Sequence, residues 1–271
     1  MIALRLIIVD MDNRAIGVYD SGFGGLSVWR ELRRLLPDES LTYLGDGKNC
    51  PYGGRPKEDI ARFAQEAVER LVAEGVKLVV VGCNTATTAA VELLRERWSE
   101  MPIVGLEPAV KPACLESKTR RIAVLATEHS LRSDMFLATA SRYASDVEVL
   151  KVVGDGFVEL VERGAERSAE AMEAVRRVVG PLLEQRIDKI VLGCTHYPFL
   201  RPLIEEVVAG QGIDVIDSGE AVARRVKWLL ERYDIVAEVG HRADYRFLSF
   251  ADEHYRQRLQ CRALSMIECD K

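Results

Sequence analysis

The chain of 271 residues predicts an α/β protein made of two similar parallel-sheet halves. Short runs rich in Val, Ile and Leu alternate with amphipathic stretches, the pattern of buried strands covered by helices on both faces. A segment also recurs: VVVGCNT at 79–85 and IVLGCTH at 190–196 each set a Cys just past an apolar run, 111 residues apart. Upstream of each, IGVYDSG at 16–22 corresponds to IAVLATE at 122–128, 106 residues apart. The two offsets agree closely, as two similarly wound halves require. A generic "strand then glycine" habit explains the glycines but not the paired cysteines.

In chain order, β-branched runs bounded by Gly, Asp or Pro place strands at 15–20, 40–45, 76–82, 102–106, 121–126, 147–153, 188–193 and 213–217. The stretches between them carry apolar residues at helical spacing and predict helices near 26–36, 57–74, 86–98, 131–143, 167–185, 202–209 and 219–233. Residues 1–12 hold a short apolar run broken by Arg5 and closed by Asp10 and Asp12, without a small-residue cleavage site. They predict an edge strand or loose extension rather than a signal peptide.

Composition narrows the function. The chain is 48% apolar and 29% charged, as in a soluble globular protein. A net charge of −5 gives no basic field for nucleic acid or anionic lipid, so neither a membrane nor direct nucleic-acid binding is expected. No apolar run approaches the roughly 18 residues of a spanning helix, and the expected location is the cytoplasm. The six cysteines, at 50, 83, 114, 194, 261 and 269, include no C-x-x-C pair and predict reduced thiols. The four histidines, at 129, 196, 241 and 254, lack ligand spacing, so no metal site is expected.

Ligands of open α/β sheets bind beyond the carboxyl ends of the strands, where helix N-termini point inward. If the two halves face each other, Cys83 lies opposite Cys194 there. Two acid/bases on opposite faces of one carbon can invert its stereochemistry without a redox step, a cofactor or movement of the substrate. A thiol with an ordinary pKa of roughly 8.5 suits the task. A helix N-terminus with hydrogen bonds, or a neighbouring cation, is expected to supply the roughly 2 kcal/mol that populates the thiolate at neutral pH, with one cysteine starting as thiolate and the other as thiol.

Asn84, Thr85 and Thr195 fit equally as helix N-caps or as ligand contacts, and the roles are compatible. The turn Asp20-Ser21-Gly22-Phe23-Gly24-Gly25 allows close approach of an anion. Its G-x-G-G spacing departs from the dinucleotide fingerprint, even though Asp46 falls where a ribose-binding acid would. A small carboxylate is the better guest. Asp20 and His196 are candidates to tune the thiols. Pro51-Tyr52-Gly53 is either an ordinary turn or a carboxylate holder through its N–H groups and phenol.

The strings DSGFGGLSV (20–28), PYG (51–53), GCNTAT (82–87), EPAVKPA (107–113), LGCTHYPFL (192–200) and DSGEAVA (217–223) together resemble glutamate racemase, of the aspartate/glutamate racemase superfamily, over nearly the whole chain. The resemblance implies a cofactor-independent isomerase that supplies D-glutamate for peptidoglycan, and so serves cell-wall biogenesis and cell shape, commonly as a homodimer. It implies Cys83 acting on the D-isomer and Cys194 on the L-isomer, supported by Asp20 and His196, with Glu162 as an auxiliary carboxylate. The implied substrate contacts are Asp20, Ser21, Tyr52, Gly53, Asn84, Thr85, Thr195 and His196. It also implies two domains related by pseudo-twofold symmetry, 1–104 with 214–271 (Asp20, Tyr52, Cys83) and 105–213 (Cys194, His196), with the active site between them. The chain departs from the family pattern at Gly47-Lys48-Asn49-Cys50, at Ser130 and at Gly154-Asp155.

Two other readings remain at this point. One is an aspartate racemase or other thiol-based isomerase of the same superfamily. The other is a non-catalytic anion-binding or redox-sensing protein.

Overall fold

The computed structural model describes residues 11–269. Residues 1–10, most of the expected edge strand or extension, lie outside the described residues. β1 (Ile16–Asp20) passes through the glycine turn into α1 (Leu26–Leu35). β2 (Leu41–Gly45), α2 (Lys57–Ala73), β3 (Leu78–Val81), α3 (Asn84–Arg97), β4 (Ile103–Gly105) and α4 (Val110–Glu116) follow. Next come β5 (Arg121–Ala126), α5 (Glu128–Arg132), α6 (Asp134–Tyr143), β6 (Glu148–Val153), α7 (Phe157–Arg163) and α8 (Ala169–Val179). β7 (Lys189–Leu192), α9 (Arg201–Val207), β8 (Asp214–Ile216), α10 (Gly219–Arg232), β9 (Tyr245–Ser249) and α11 (Glu253–Cys269) complete the chain.

The strands form two sheets, in the orders β4-β3-β1-β2-β9 and β6-β5-β7-β8, with every pairing parallel. Written from the other edge, the second order is β8-β7-β5-β6, so each half places its first strand between its second and third. The internal repeat is therefore a repeat of topology.

Residue alternation along the strands separates the two faces. Ile16, Val18, Leu78 and Val80 point into a core with Trp29, Leu32 and Val226, whereas Tyr19, Val79 and Val81 meet Ile60, Ala64, Leu71 and Leu94. In the second sheet Ala123, Leu125, Ile190 and Leu192 pack on Phe157, Leu160, Val175 and Ile204. Ile122, Val124 and Val191 pack on Val110 and Phe136. Each fully buried aliphatic side chain contributes about 1.5–3 kcal/mol of transfer free energy, so both sheets are held by helices on both faces.

The structure differs from the sequence expectations in several places. The helix expected at 131–143 is two helices, because the Ser133 hydroxyl accepts the Phe136 N–H at 3.2 Å and starts a new N-terminus. α4 and α7 are each seven residues long, below the length at which helical periodicity is legible; left-handed Gly156 and Gly164 bound α7. β9 escapes detection because, as an edge strand, it buries only Phe247 fully. α11 has a polar, weakly patterned sequence. β8, which the expected domain division at 213/214 assigned to the first domain, pairs with β7 in the second sheet. That hydrogen bonding moves the crossover past Ile216.

Candidate active site

The site sits at the carboxyl ends of β1, β3 and β7, and the repeat governs it down to single hydrogen bonds. Gly82 N donates to Tyr19 O at 2.6 Å, and Gly193 N donates to Leu125 O at 2.7 Å. These are the same bond in the two lobes. A Cβ at Gly82 would lie 3.2 Å from Tyr19 O, and one at Gly193 3.1 Å from Leu125 O, so the sheet crowds both positions. The next residue in each lobe is the cysteine, which leaves the sheet toward the other lobe's loops.

Cys83 is itself the N-cap of α3: its Sγ accepts the Ala86 N–H at 3.4 Å and lies 3.6 Å from Ser21 Oγ. The expected capping by Asn84 and Thr85 is therefore not realised, since both lie inside the first turn. Thr195 caps no helix either: its hydroxyl donates to Asp20 Oδ2 at 3.0 Å. Burial pushes the Cys83 thiol up to about 12, and the Asp20 carboxylate and the charge of Cys194 add to the effect. The Ala86 N–H and Ser21 oppose it. At Cys83, with the cleft closed, desolvation therefore outweighs the helix terminus and favours the neutral thiol.

Cys194 Sγ lies 3.7 Å from His196 Nδ1, and His196 Nε2 lies 2.6 Å from Glu162 Oε1. Burial disfavours charge on the imidazole, but hydrogen bonds with Cys194, Cys50 and Glu162 outweigh it and hold His196 well above its ordinary value of 6.5. Glu162 Oε1 also accepts Phe23 N–H at 2.7 Å, and Oε2 accepts the Tyr255 hydroxyl at 2.9 Å. Burial raises the Glu162 pKa, but the bond and charge of His196, with these donors, bring it below the ordinary carboxylate range. Asp20 has no solvent exposure and accepts Gly22 N–H at 2.8 Å. Desolvation lifts its pKa, partly offset by the charge of His196.

The structure brings Asp20, Ser21, Cys83, Cys194, Thr195, His196 and Glu162 together. Thr85 Oγ1 bonds across the cleft to Thr127 Oγ1 at 3.0 Å, and Gly53 packs against Thr127. Asn84 Nδ2 reaches Leu106 O at 3.4 Å. Tyr52 behaves differently from the expected phenolic carboxylate holder: its hydroxyl donates to Asp46 Oδ2 at 2.5 Å and lies 2.7 Å from that of Tyr19. Asp46 also accepts from Asn49 at 3.1 and 2.9 Å, so a buried network engages the carboxylate that resembled a ribose acceptor.

The glycine turn has a use that spacing did not reveal. A Cβ on Gly24 would lie 2.4 Å from His196 Nδ1 and 2.6 Å from Thr195 Oγ1, and one on Gly22 would lie 2.2 Å from Glu162 Oε1. In this closed arrangement the glycines admit the opposing lobe rather than an anion. The cavity beside Cys194, lined also by Asn84, Leu106 and Thr195, holds about 10 Å³, room for one water. At the cleft's mouth a groove of about 530 Å³ runs between Gly53, Gly54 and Arg55 on one lobe and Glu128, His129 and Arg132 on the other.

Sequence reasoning missed Tyr255, which reaches Glu162 from α11, and gave Cys50 no role although its thiol bonds His196. No local signal marks Tyr255, because nearly a hundred residues separate it from its partner.

Similarly wound lobes that close over cysteines at matching strand ends are the architecture of an amino-acid racemase. The profile of the family described as Asp/Glu/Hydantoin racemase matches residues 18–226. A glutamate racemase of Herpetosiphon aurantiacus is 44% identical over 252 residues, covering 93% of this chain and 98% of that protein. Among solved structures, a glutamate racemase from Bacillus anthracis superposes with TM-score 0.84 at 32% identity, covering 94% of this chain and 95% of that one. The Escherichia coli glutamate racemase in complex with L-glutamate and the activator UDP-MurNAc-ala gives 0.81 at 32% identity, over 93% and 95%. The chain belongs to the Asp/Glu/Hydantoin racemase family.

Proposed function

We propose that this protein interconverts L- and D-glutamate by two-base proton transfer at the α-carbon between Cys83 and Cys194. The observation that carries the reading is the pair of thiols at repeat-equivalent strand ends, one beside Asp20 and Ser21, the other beside His196 and Glu162. A thiolate on one face takes the α-proton while the thiol opposite delivers its own, so the two sulfurs exchange protonation states in each turnover. Proton-transfer contacts of roughly 3–3.5 Å on each side place the sulfurs about 7–8 Å apart around bound substrate. Cys194 serves the L-isomer, with His196 and Glu162 holding and returning its proton. Cys83 serves the D-isomer beside Asp20.

Ser21, Gly53, Asn84, Thr85 and Thr195 hold the substrate's polar groups, with Tyr52 contributing through its backbone. Cys83 and Cys194 are both buried, so the lobes part for binding and close for chemistry. The moving units are the first sheet with its helices and the second sheet, β8 included, with its own. The product D-glutamate supplies peptidoglycan synthesis in the cytoplasm, and the working form is a homodimer.

The test is solvent-deuterium incorporation at the α-position of L-glutamate, D-glutamate and L-aspartate, with wild type, Cys83→Ser and Cys194→Ser. Wild type exchanges both glutamate isomers, and each variant loses racemisation by about 10³-fold. Undiminished turnover in both variants would overturn the assignment. Faster exchange of aspartate would reassign the substrate.

A further inference from the structure

Cys50 belongs to no step of the reaction described above, yet its sulfur, a Glu162 oxygen and a His196 ring nitrogen all lie within 4.8 Å of one another. Cys50 comes from the loop after β2 in the first lobe; Glu162 and His196 belong to the second. Gly22 leaves the space between them open: a Cβ there would sit 3.0 Å from Cys50 Sγ and 2.2 Å from Glu162 Oε1. The three donors are a thiol, an imidazole and a carboxylate, each from a different segment of chain.

We infer that Cys50, Glu162 and His196 form a binding site for Zn²⁺, or an ion of similar softness, that clasps the two lobes shut and reversibly halts turnover. The donor set selects the ion. Sulfur and imidazole nitrogen favour Zn²⁺ over Mg²⁺ and Ca²⁺, which require oxygen. Three protein ligands with a fourth position left to water is the usual arrangement of an open zinc site.

Zn–S and Zn–N/O lengths of roughly 2.3 and 2.0–2.1 Å at a tetrahedral angle put ligand atoms about 3.3–3.6 Å apart. Adjustments of about an ångström bring the observed cluster to that spacing. Binding displaces the Cys50 thiol proton and one proton of the His196 imidazolium to solvent, and the ion's charge takes their place. The ion takes the ring nitrogen that faces Glu162, so it replaces the hydrogen bond between imidazole and carboxylate and interrupts the pair behind Cys194. The effect on turnover rests on the racemase reading; the ligand set does not.

The experiment titrates Zn²⁺ into the metal-free full chain against a chromophoric chelator, under a non-thiol reductant, and repeats it with Co²⁺ to read the thiolate-to-metal absorption band. The proteins are wild type, Cys50→Ser, Cys83→Ser and Cys194→Ser, each checked for native circular dichroism. Wild type, Cys83→Ser and Cys194→Ser bind one ion with comparable affinity and show the band. Cys50→Ser loses the band and binds at least tenfold more weakly. Zn²⁺ inhibits wild-type racemisation, and Cys50→Ser keeps most of its own metal-free rate at the same concentration. Equal binding by Cys50→Ser, or a band that disappears with Cys83 or Cys194 instead, overturns the proposal. Metal binding without any glutamate turnover would sink the racemase reading and leave the site standing.

Discussion

His196 and Glu162 meet at 2.6 Å in a site where both are largely removed from solvent, and each moves the other's proton affinity in the direction that keeps the pair charged. His196 binds its proton more tightly in the folded chain than at its ordinary 6.5, so its contribution to stability is complete below that value and is lost as pH rises through the raised folded value. Glu162 runs the other way: its contribution is present above 4.5 and is lost as pH falls through its lowered folded value. Glu162→Gln is expected to move the alkaline fall in melting temperature to lower pH. It should also reduce kcat/KM by about 10²-fold, equally in both directions because the racemisation equilibrium constant is one. Melting curves from pH 4 to 10 and initial rates with both isomers check this.

Gly24→Ala places a methyl group 2.4 Å from His196 Nδ1. The lobes then cannot close, and kcat/KM falls by about 10²-fold or more, the scale of an ångström misplacement in a catalytic array. Far-UV circular dichroism stays native. Solution scattering in saturating glutamate checks the cause, because the variant should keep a larger radius of gyration than wild type.

Cys83 is buried with its thiol pushed up to about 12, whereas Cys261 is exposed. Since the thiolate is the nucleophile, iodoacetamide at pH 8 should label Cys83 about 10³-fold more slowly than an ordinary exposed thiol. Peptide mass spectrometry over time measures the ratio. Comparable rates at Cys83 and Cys261 would show that the resting cleft is open.

Lys77 and Glu39 form an ion pair at 2.6 Å with side chains 0% and 3% exposed, and Glu39 also accepts Ala237 N–H. Lys77→Met leaves the carboxylate buried without its cation. It is expected to cost about 3–5 kcal/mol of unfolding free energy, measured by urea denaturation, with the active site unchanged.

The fold was legible where residues repeat at short period. Val79, Val80 and Val81 face opposite cores in turn, and the Gly-Cys pair at 82–83 recurs at 193–194, so alternation and internal repetition announced both sheets and both thiols. Elements that draw stability from distant partners were not legible. Tyr255 acquires its meaning from Glu162, and Tyr52 loses its expected one to Asp46 and Tyr19. The glycines of 22–25 were read as places where an anion approaches; at Gly22 and Gly24 the group that approaches in this arrangement is a side chain of the other lobe, which no local pattern specifies. The Cys83 shift likewise depends on closure, a tertiary event that removes water from a helix terminus.

β9 has a consequence for how the protein is made. Its partner β2 leaves the ribosome before the whole second lobe does, yet Leu41 must await Tyr245 and Gly45 must await Ser249. The nascent first sheet therefore carries a naked edge while the entire second lobe is synthesised, and an unpaired strand edge invites association with other chains. Synthesis of β9 and α11 both seals that edge and delivers Tyr255 to Glu162, so closure of the first sheet and assembly of a working centre coincide.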